Sequence, residues 1–185
     1  MGTLQARHWQ SLLEPGITAI VGAGGKTTVL SKLVEYGGLY GQPVVVTTTT
    51  KLYESQVALW KPYYGHDFNE AEAACREALQ RGRCGAWFSG IDGTKVTALT
   101  GRQIDELNMV HPNWQIVVEA DGAREKWLKA PKSTEPVIPS RTTTTIGVVN
   151  LQVLGTAIDA EHVHNIDEVV EIMEREEGAV VTSTM

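Results

Sequence analysis

The chain has 185 residues, enough for one ordinary domain or a large single one. Sixteen lysines and arginines face 22 aspartates and glutamates, a formal net charge of -6, which argues against a general nucleic-acid binder because that needs a basic face. Apolar residues at 42% and only two cysteines, Cys75 and Cys84, exclude a disordered chain, a disulfide framework and a zinc cluster, and suit a reducing cytoplasm.

Residues 1–15 are polar and carry no signal-peptide core, and no window approaches the roughly 18 apolar residues of a membrane span. A cytoplasmic protein without membrane contact is expected. Ile17 to Val21 is a short apolar run between glycines and predicts a buried strand. Lys26 to Tyr36 carries Val29, Leu30, Leu33 and Val34 at helical spacing, with Gly37-Gly38 as the expected stop. Pro43 to Thr47 predicts a second strand, covered on both faces. Strand, helix and strand make a βαβ unit with parallel strands. Asn69 to Arg81 predicts a helix capped by Asn69, with Glu72 at the capping-box position and Gly82 at its end.

Cys84 to Phe88 and Lys95 to Leu99 read as an antiparallel hairpin joined by Gly90-Ile91-Asp92-Gly93. Thr100 with Gln103 starts a helix to about Met109. Gln115 to Glu119 is another buried strand. Ala123 to Arg141 is proline-rich, lacks periodicity and reads as a long functional loop. Thr144 to Val149 predicts a strand, Asp167 to Glu177 an amphipathic helix, and Ala179 to Thr182 a last short strand. The expected fold class is α/β: a mostly parallel sheet flanked by helices, P-loop NTPase-like, with a β-hairpin insertion.

Gly22-Ala23-Gly24-Gly25-Lys26-Thr27-Thr28, at a strand-to-helix junction, is the strongest chemical signal. Glycines let backbone N–H groups approach phosphates, and the helix N-terminus adds positive potential. Lys26 would reach the β- and γ-phosphates, Thr27 would sit on Mg²⁺, and Thr28 would meet the α-phosphate. The spacing is the short G-x-x-G-K-T-T rather than G-x-x-x-x-G-K-[ST].

Glu119 and Asp121 end a buried strand and, two apart in extended chain, share a face. They are candidate metal-holding and catalytic carboxylates. Thr47-Thr48-Thr49-Thr50-Lys51 ends the second strand, where open parallel sheets place ligands. Its hydroxyls and Lys51 are candidates for the γ-phosphate or a second substrate. Arg124, Lys126, Lys129 and Lys132 form a basic stretch, with Arg124 and Lys129 the first candidates to meet an anionic ligand or a transferring phosphoryl group. A second threonine run, Thr142 to Thr145, reads as the entry to a strand. His162 and His164, two apart, are a weak metal pair. Cys75 reads as a packed residue and Cys84 as a weak candidate thiol.

Together, Val21-Gly22-Ala23-Gly24-Gly25-Lys26-Thr27-Thr28, Val46-Thr47-Thr48-Thr49-Thr50-Lys51, Glu119-Ala120-Asp121-Gly122-Ala123-Arg124, Leu128-Lys129-Ala130-Pro131 and Glu135-Pro136-Val137-Ile138-Pro139 occur in that order. This resembles the YqeC family, described as accessory proteins of selenium-dependent molybdenum hydroxylases. Glu161-His162-Val163-His164 is similar to that family's later segment. The resemblance implies a setting, the maturation of enzymes with selenium and a molybdenum cofactor, and possible partners in a molybdenum hydroxylase or its maturation proteins.

Family members run longer, with a later strand ending in an Asn-Lys-x-Asp-like segment. The expectation is therefore one P-loop NTPase-like domain over residues 1–185, shortened at its C-terminus, with ATP and GTP both open as ligands. Three functions stay open: Mg²⁺-dependent hydrolysis or phosphoryl transfer; a nucleotide-regulated switch or chaperone; and a carrier of selenium or of a phosphorylated molybdenum-cofactor precursor.

Overall fold

The computed structural model describes residues 4–184. In chain order, α1 (Leu4–Gln10) leads into β1 (Gly16–Gly22), α2 (Lys26–Tyr40) and β2 (Val44–Thr48). Short β3 (Leu52–Tyr53), α3 (Glu54–Val57) and β4 (Tyr63–Tyr64) precede α4 (Phe68–Gln80) and β5 (Gly85–Phe88). Next come β6 (Gly90–Asp92), β7 (Lys95–Thr97), α5 (Gly101–Val110) and β8 (Gln115–Glu119). The last elements are β9 (Leu128–Lys129), β10 (Thr142–Val148), β11 (Val163–His164) and α6 (Ile166–Met173).

Six strands form one sheet in the order β10-β1-β8-β2-β5-β4, and every pairing in it is parallel. The protein is thus an α/β fold with a parallel central sheet flanked by helices. β1 and β2 are parallel as the βαβ reading expects, but β8 lies between them. That insertion brings the ends of β1, β8 and β2 side by side.

The central strands carry apolar runs, such as Val44 to Val46 and Ile116 to Val118, because both faces are covered. One face packs Ile20, Val44, Val46, Phe88 and Val117 with Leu30 and Leu33 of α2. The other packs Ile17, Val45, Trp87, Ile116 and Val118 with Ala71 and Cys75 of α4 and Ile104 and Leu107 of α5. A third, smaller cluster gathers Ala130, Val153, Ile158, Val163, Val169 and Val181.

Several local expectations are corrected. Helix α2 runs through Gly37-Gly38 to Tyr40 and ends at left-handed Gly41. A Cβ at Gly37 would come 2.4 Å from Val44 Cγ2, so the glycine serves close packing on β2 rather than termination. The cap of α4 is Asp67, whose side chain accepts from the Glu70 amide, not Asn69. Strand β5 joins the main sheet, and the antiparallel hairpin is β6–β7, extended by β3. Within the Ala123 to Arg141 loop, β9 pairs in parallel with β11. The second threonine run enters β10 as expected, and the strand starts at Thr142 rather than Thr144. Ala179 to Thr182 contributes only an isolated bridge, Ala157 to Val180. Thr100 and Gln103 do form the expected capping box of α5.

Among the described residues, no helix is long and apolar enough to cross a membrane.

Candidate functional site

All six strands end at one edge of the sheet, and there a cleft of about 790 Å³ opens. Gly24 to Thr28 line one wall. The loop owes two of its glycines to what stands behind it. A Cβ at Gly22 would sit 2.2 Å from the Val148 carbonyl oxygen, and one at Gly24 would sit 2.3 Å from Asn150 Cβ. Both residues also hold positive φ, and the Ala23 amide donates to the Val148 carbonyl at 2.8 Å. Gly25, at φ 134, has only Val148 Cγ1 near its missing Cβ, at 3.9 Å. It is the N-cap of α2 and offers no side chain to the helix. The first-turn amides of α2 are therefore left for solvent or a ligand, at the positive end of a helix of 15 residues.

A buried charged network fills the floor. Lys26 is 5% exposed. Its Nζ donates to the Gly22 carbonyl at 2.6 Å and lies 3.2 Å from Asp121 Oδ1 and 3.8 Å from Glu119 Oε1. Asp121 Oδ2 accepts from the Gly22 amide at 3.0 Å and stands 3.3 Å from Lys129 Nζ. Lys129 also donates to the Gly122 carbonyl and pairs with Glu135. Asp121 Oδ1 is buried and receives no aligned hydrogen bond. The Thr27 hydroxyl donates to Glu119 Oε2 at 3.3 Å. Burial pushes the Glu119 carboxyl up to about 7; Lys26 and the Thr27 hydroxyl pull it down by less, and Asp121 adds to the rise.

The candidates after β2 divide. Thr47 is buried with an unpartnered hydroxyl. Thr48 donates to the Glu119 carbonyl at 2.8 Å, and Thr49 to the Val137 carbonyl at 2.6 Å. The Thr48 and Thr49 side chains tie β2 to β8 and to the following loop, and none of the three lines the cleft wall. Thr50 and Lys51 do line it, with Lys51 paired to exposed Asp92 at 2.6 Å. Of the basic stretch, Lys129 is spent on the network, while Arg124 lines the cleft.

The histidine pair is split. His162 shares a 2.7 Å hydrogen bond with Asp159 and tilts against Trp127, whereas His164 lines the cleft. Burial foremost, then Lys129 and Arg124, hold the His164 ring below its ordinary value of 6.5. Among the described residues no group of three or more His, Cys, Asp or Glu side chains is placed to hold a metal. The donor set of Thr27 with Glu119 or Asp121 still suits Mg²⁺, which takes one or two protein oxygens and completes its shell with water and phosphate. Cys75 is packed, its thiol pushed up to about 12 by burial, and burial raises the Cys84 thiol as well.

Tyr53, Lys95, Trp127 and Asn150 are among the cleft residues that escaped sequence reasoning. Lys95 Nζ lies 4.8 Å from the Tyr53 ring centroid. These residues sit on loops and on two- or three-residue strands, where no periodicity marks a face.

What fold and cleft define is an α/β protein whose parallel sheet carries its polar chemistry at the carboxyl edge, behind a glycine-rich turn. The chain belongs to the YqeC family: the family model described as YqeC protein matches residues 18–167. A relative from Escherichia coli (strain K12), described as "Uncharacterized protein YqeC", is 31% identical over 158 residues. That match covers 85% of this chain and 60% of the relative, so the chain spans about 60% of that relative's length. No solved structure matches the chain at a significant level.

Proposed function

We propose that the cleft binds Mg²⁺ and a nucleoside triphosphate, ATP or GTP, for hydrolysis or phosphoryl transfer. The observation that carries this reading is the uncapped N-terminus of α2 beside a buried lysine and a threonine bonded to a strand-end carboxylate. The backbone of Gly22, Ala23, Gly24 and Gly25 shapes the phosphate cradle, and the amides from Lys26 to Thr28 face the anion. Lys26 leaves the Gly22 carbonyl for the β- and γ-phosphates. Bound Mg²⁺ would neutralise charge on those oxygens. Thr27 and one of Glu119 and Asp121 would hold it, and the other carboxylate would orient water. Arg124 would face the γ-phosphate or the second substrate. The family's setting supports a role as accessory factor in the maturation of selenium-dependent molybdenum hydroxylases.

Calorimetric titration of ATP and GTP, with and without Mg²⁺, on the natural chain and on Lys26→Ala tests this. The expected result is Mg²⁺-dependent binding of one nucleotide, weakened roughly ten- to hundredfold by the substitution. No heat from either nucleotide with the folded natural chain would overturn the reading.

A further inference from the structure

A second cavity, of about 540 Å³, adjoins the cleft and shares Arg124, Glu135 and His164 with it. Its size is that of a small-ligand pocket. Hydrolysis needs no such space, because water is its own acceptor.

The cations of this cavity are not equivalent. Lys126 donates to the Glu161 carbonyl at 3.1 Å, and Lys132 pairs with Glu168 at 3.4 Å. Arg124 alone makes no hydrogen bond or ion pair among the described residues, and it sits where the two cavities meet. Its backbone is left-handed, φ 48, and so is that of Glu125, φ 62. Two consecutive residues with side chains in that region are costly, and such strain gathers at ligand sites. A free guanidinium offers a planar fork of donors that matches an oxyanion. His164, also without a side-chain partner among the described residues, gives the same junction a ring nitrogen. Asp167 and Glu177 line the cavity without ion pairs, so it is not a general anion well. It fits a ligand with one oxyanion group and hydrogen-bond donors elsewhere.

We propose that Arg124 and His164 form an oxyanion subsite, separate from the phosphate loop, that seats the anionic end of a small polar co-substrate. The role as co-substrate site rests on the nucleotide reading above; the subsite itself does not. Its ligand carries a phosphate or a carboxylate, and the two are tested separately.

The experiment follows the His164 imidazole signals by NMR in the full chain saturated with Mg²⁺ and a non-hydrolysable ATP or GTP analogue. Orthophosphate and malonate are titrated in turn. At least one should move His164 saturably, and the stronger identifies the anion class. Arg124→Gln should weaken that response roughly tenfold or more. Arg124→Lys, which keeps the charge and loses the fork, should fall between, and it serves if the glutamine variant does not fold. In Lys26→Ala the anion response should persist.

The proposal is overturned if neither anion moves His164. It is equally overturned if the response is undiminished in both Arg124 variants, or if it vanishes in Lys26→Ala or when the analogue is added, since one site would then explain everything. Failure of the nucleotide reading looks different: the analogue does not bind, and the anion still moves His164.

Discussion

The carboxyl edge of the sheet and the segment that folds over it, residues 123–137 with 150–164, handle charge in opposite ways. At the edge, Lys26, Glu119 and Asp121 are buried and lean on one another across β1 and β8. In the segment, Arg124 is exposed, strained and without a partner among the described residues. The edge is sandwiched between two clusters that include Trp87, Phe88, Ile17 and Ile116, whereas the segment rests on the smaller cluster around Ile158. A buried network fixes geometry before a ligand arrives, and a free cation on a loosely supported segment can adapt to one. Lys129 of β9 links the charges of the two regions, reaching Asp121 on one side and Glu135 on the other.

Breaking that link should have the largest effect. Lys129→Met leaves two carboxylates facing each other across an apolar chain, and removing one partner of a buried pair costs about 3–5 kcal/mol. Urea denaturation of the variant measures it. A loss under about 1 kcal/mol, the scale of a surface pair, would mean that the regions are held together by something else.

Little of this link can be read from residue order. Ile17 to Val21, Val44 to Val46 and Ile116 to Val118 are legible as strands because local runs of apolar residues suffice. The Thr100–Gln103 cap is legible because both partners lie within one turn. Lys129 reads as a ligand-facing cation because its burial depends on Asp121 and on Glu135, which a turn of the same loop brings round to it. Thr48 and Thr49 mislead for the same reason. Their roles depend on β8 entering between β1 and β2, and nothing local announces that. Gly37 reads as a helix stop until Val44 is set against it. The glycine-rich turn and the acidic pair are legible as types and positions; the second cavity is not.

The contact between the loop and the segment gives the next effect. Gly24→Ala puts a Cβ against Asn150 in a left-handed backbone, φ 76. The strain alone is worth about 1–3 kcal/mol. For a chain of this length that lowers Tm by roughly 2–4 °C per kcal/mol, readable by calorimetry. An unchanged Tm would show that both the turn at residue 24 and residue 150 give way easily, and that the edge is less firm than its buried network implies. Ile158→Val then probes the segment's own support. Ile158 is fully buried, and the loss of one methylene should cost about 0.5–1.5 kcal/mol. Hydrogen exchange distinguishes the outcomes: the contrast holds if faster exchange is confined to β9, β11 and α6, and it breaks if the main sheet loosens equally.

The smallest expected effect concerns His164, where the segment's electrostatics can be read directly. Its ring is held below 6.5 by burial first and by Lys129 and Arg124 next, with Lys132 in the same direction and Glu135 opposing. The folded chain therefore gives up this proton more readily than the unfolded chain does. The stability contributed by the neutral ring is fully present above pH 6.5 and is lost as pH falls through the folded value. An NMR titration should place the midpoint below 6.5, and Arg124→Gln should move it upward, because one of the cations that disfavour protonation is gone. A midpoint at or above 6.5 would mean that His164 does not share its surroundings with these cations. A low midpoint that ignores Arg124→Gln would leave burial and the lysines as its causes, and the guanidinium would then lie too far away to act with the ring on one ligand.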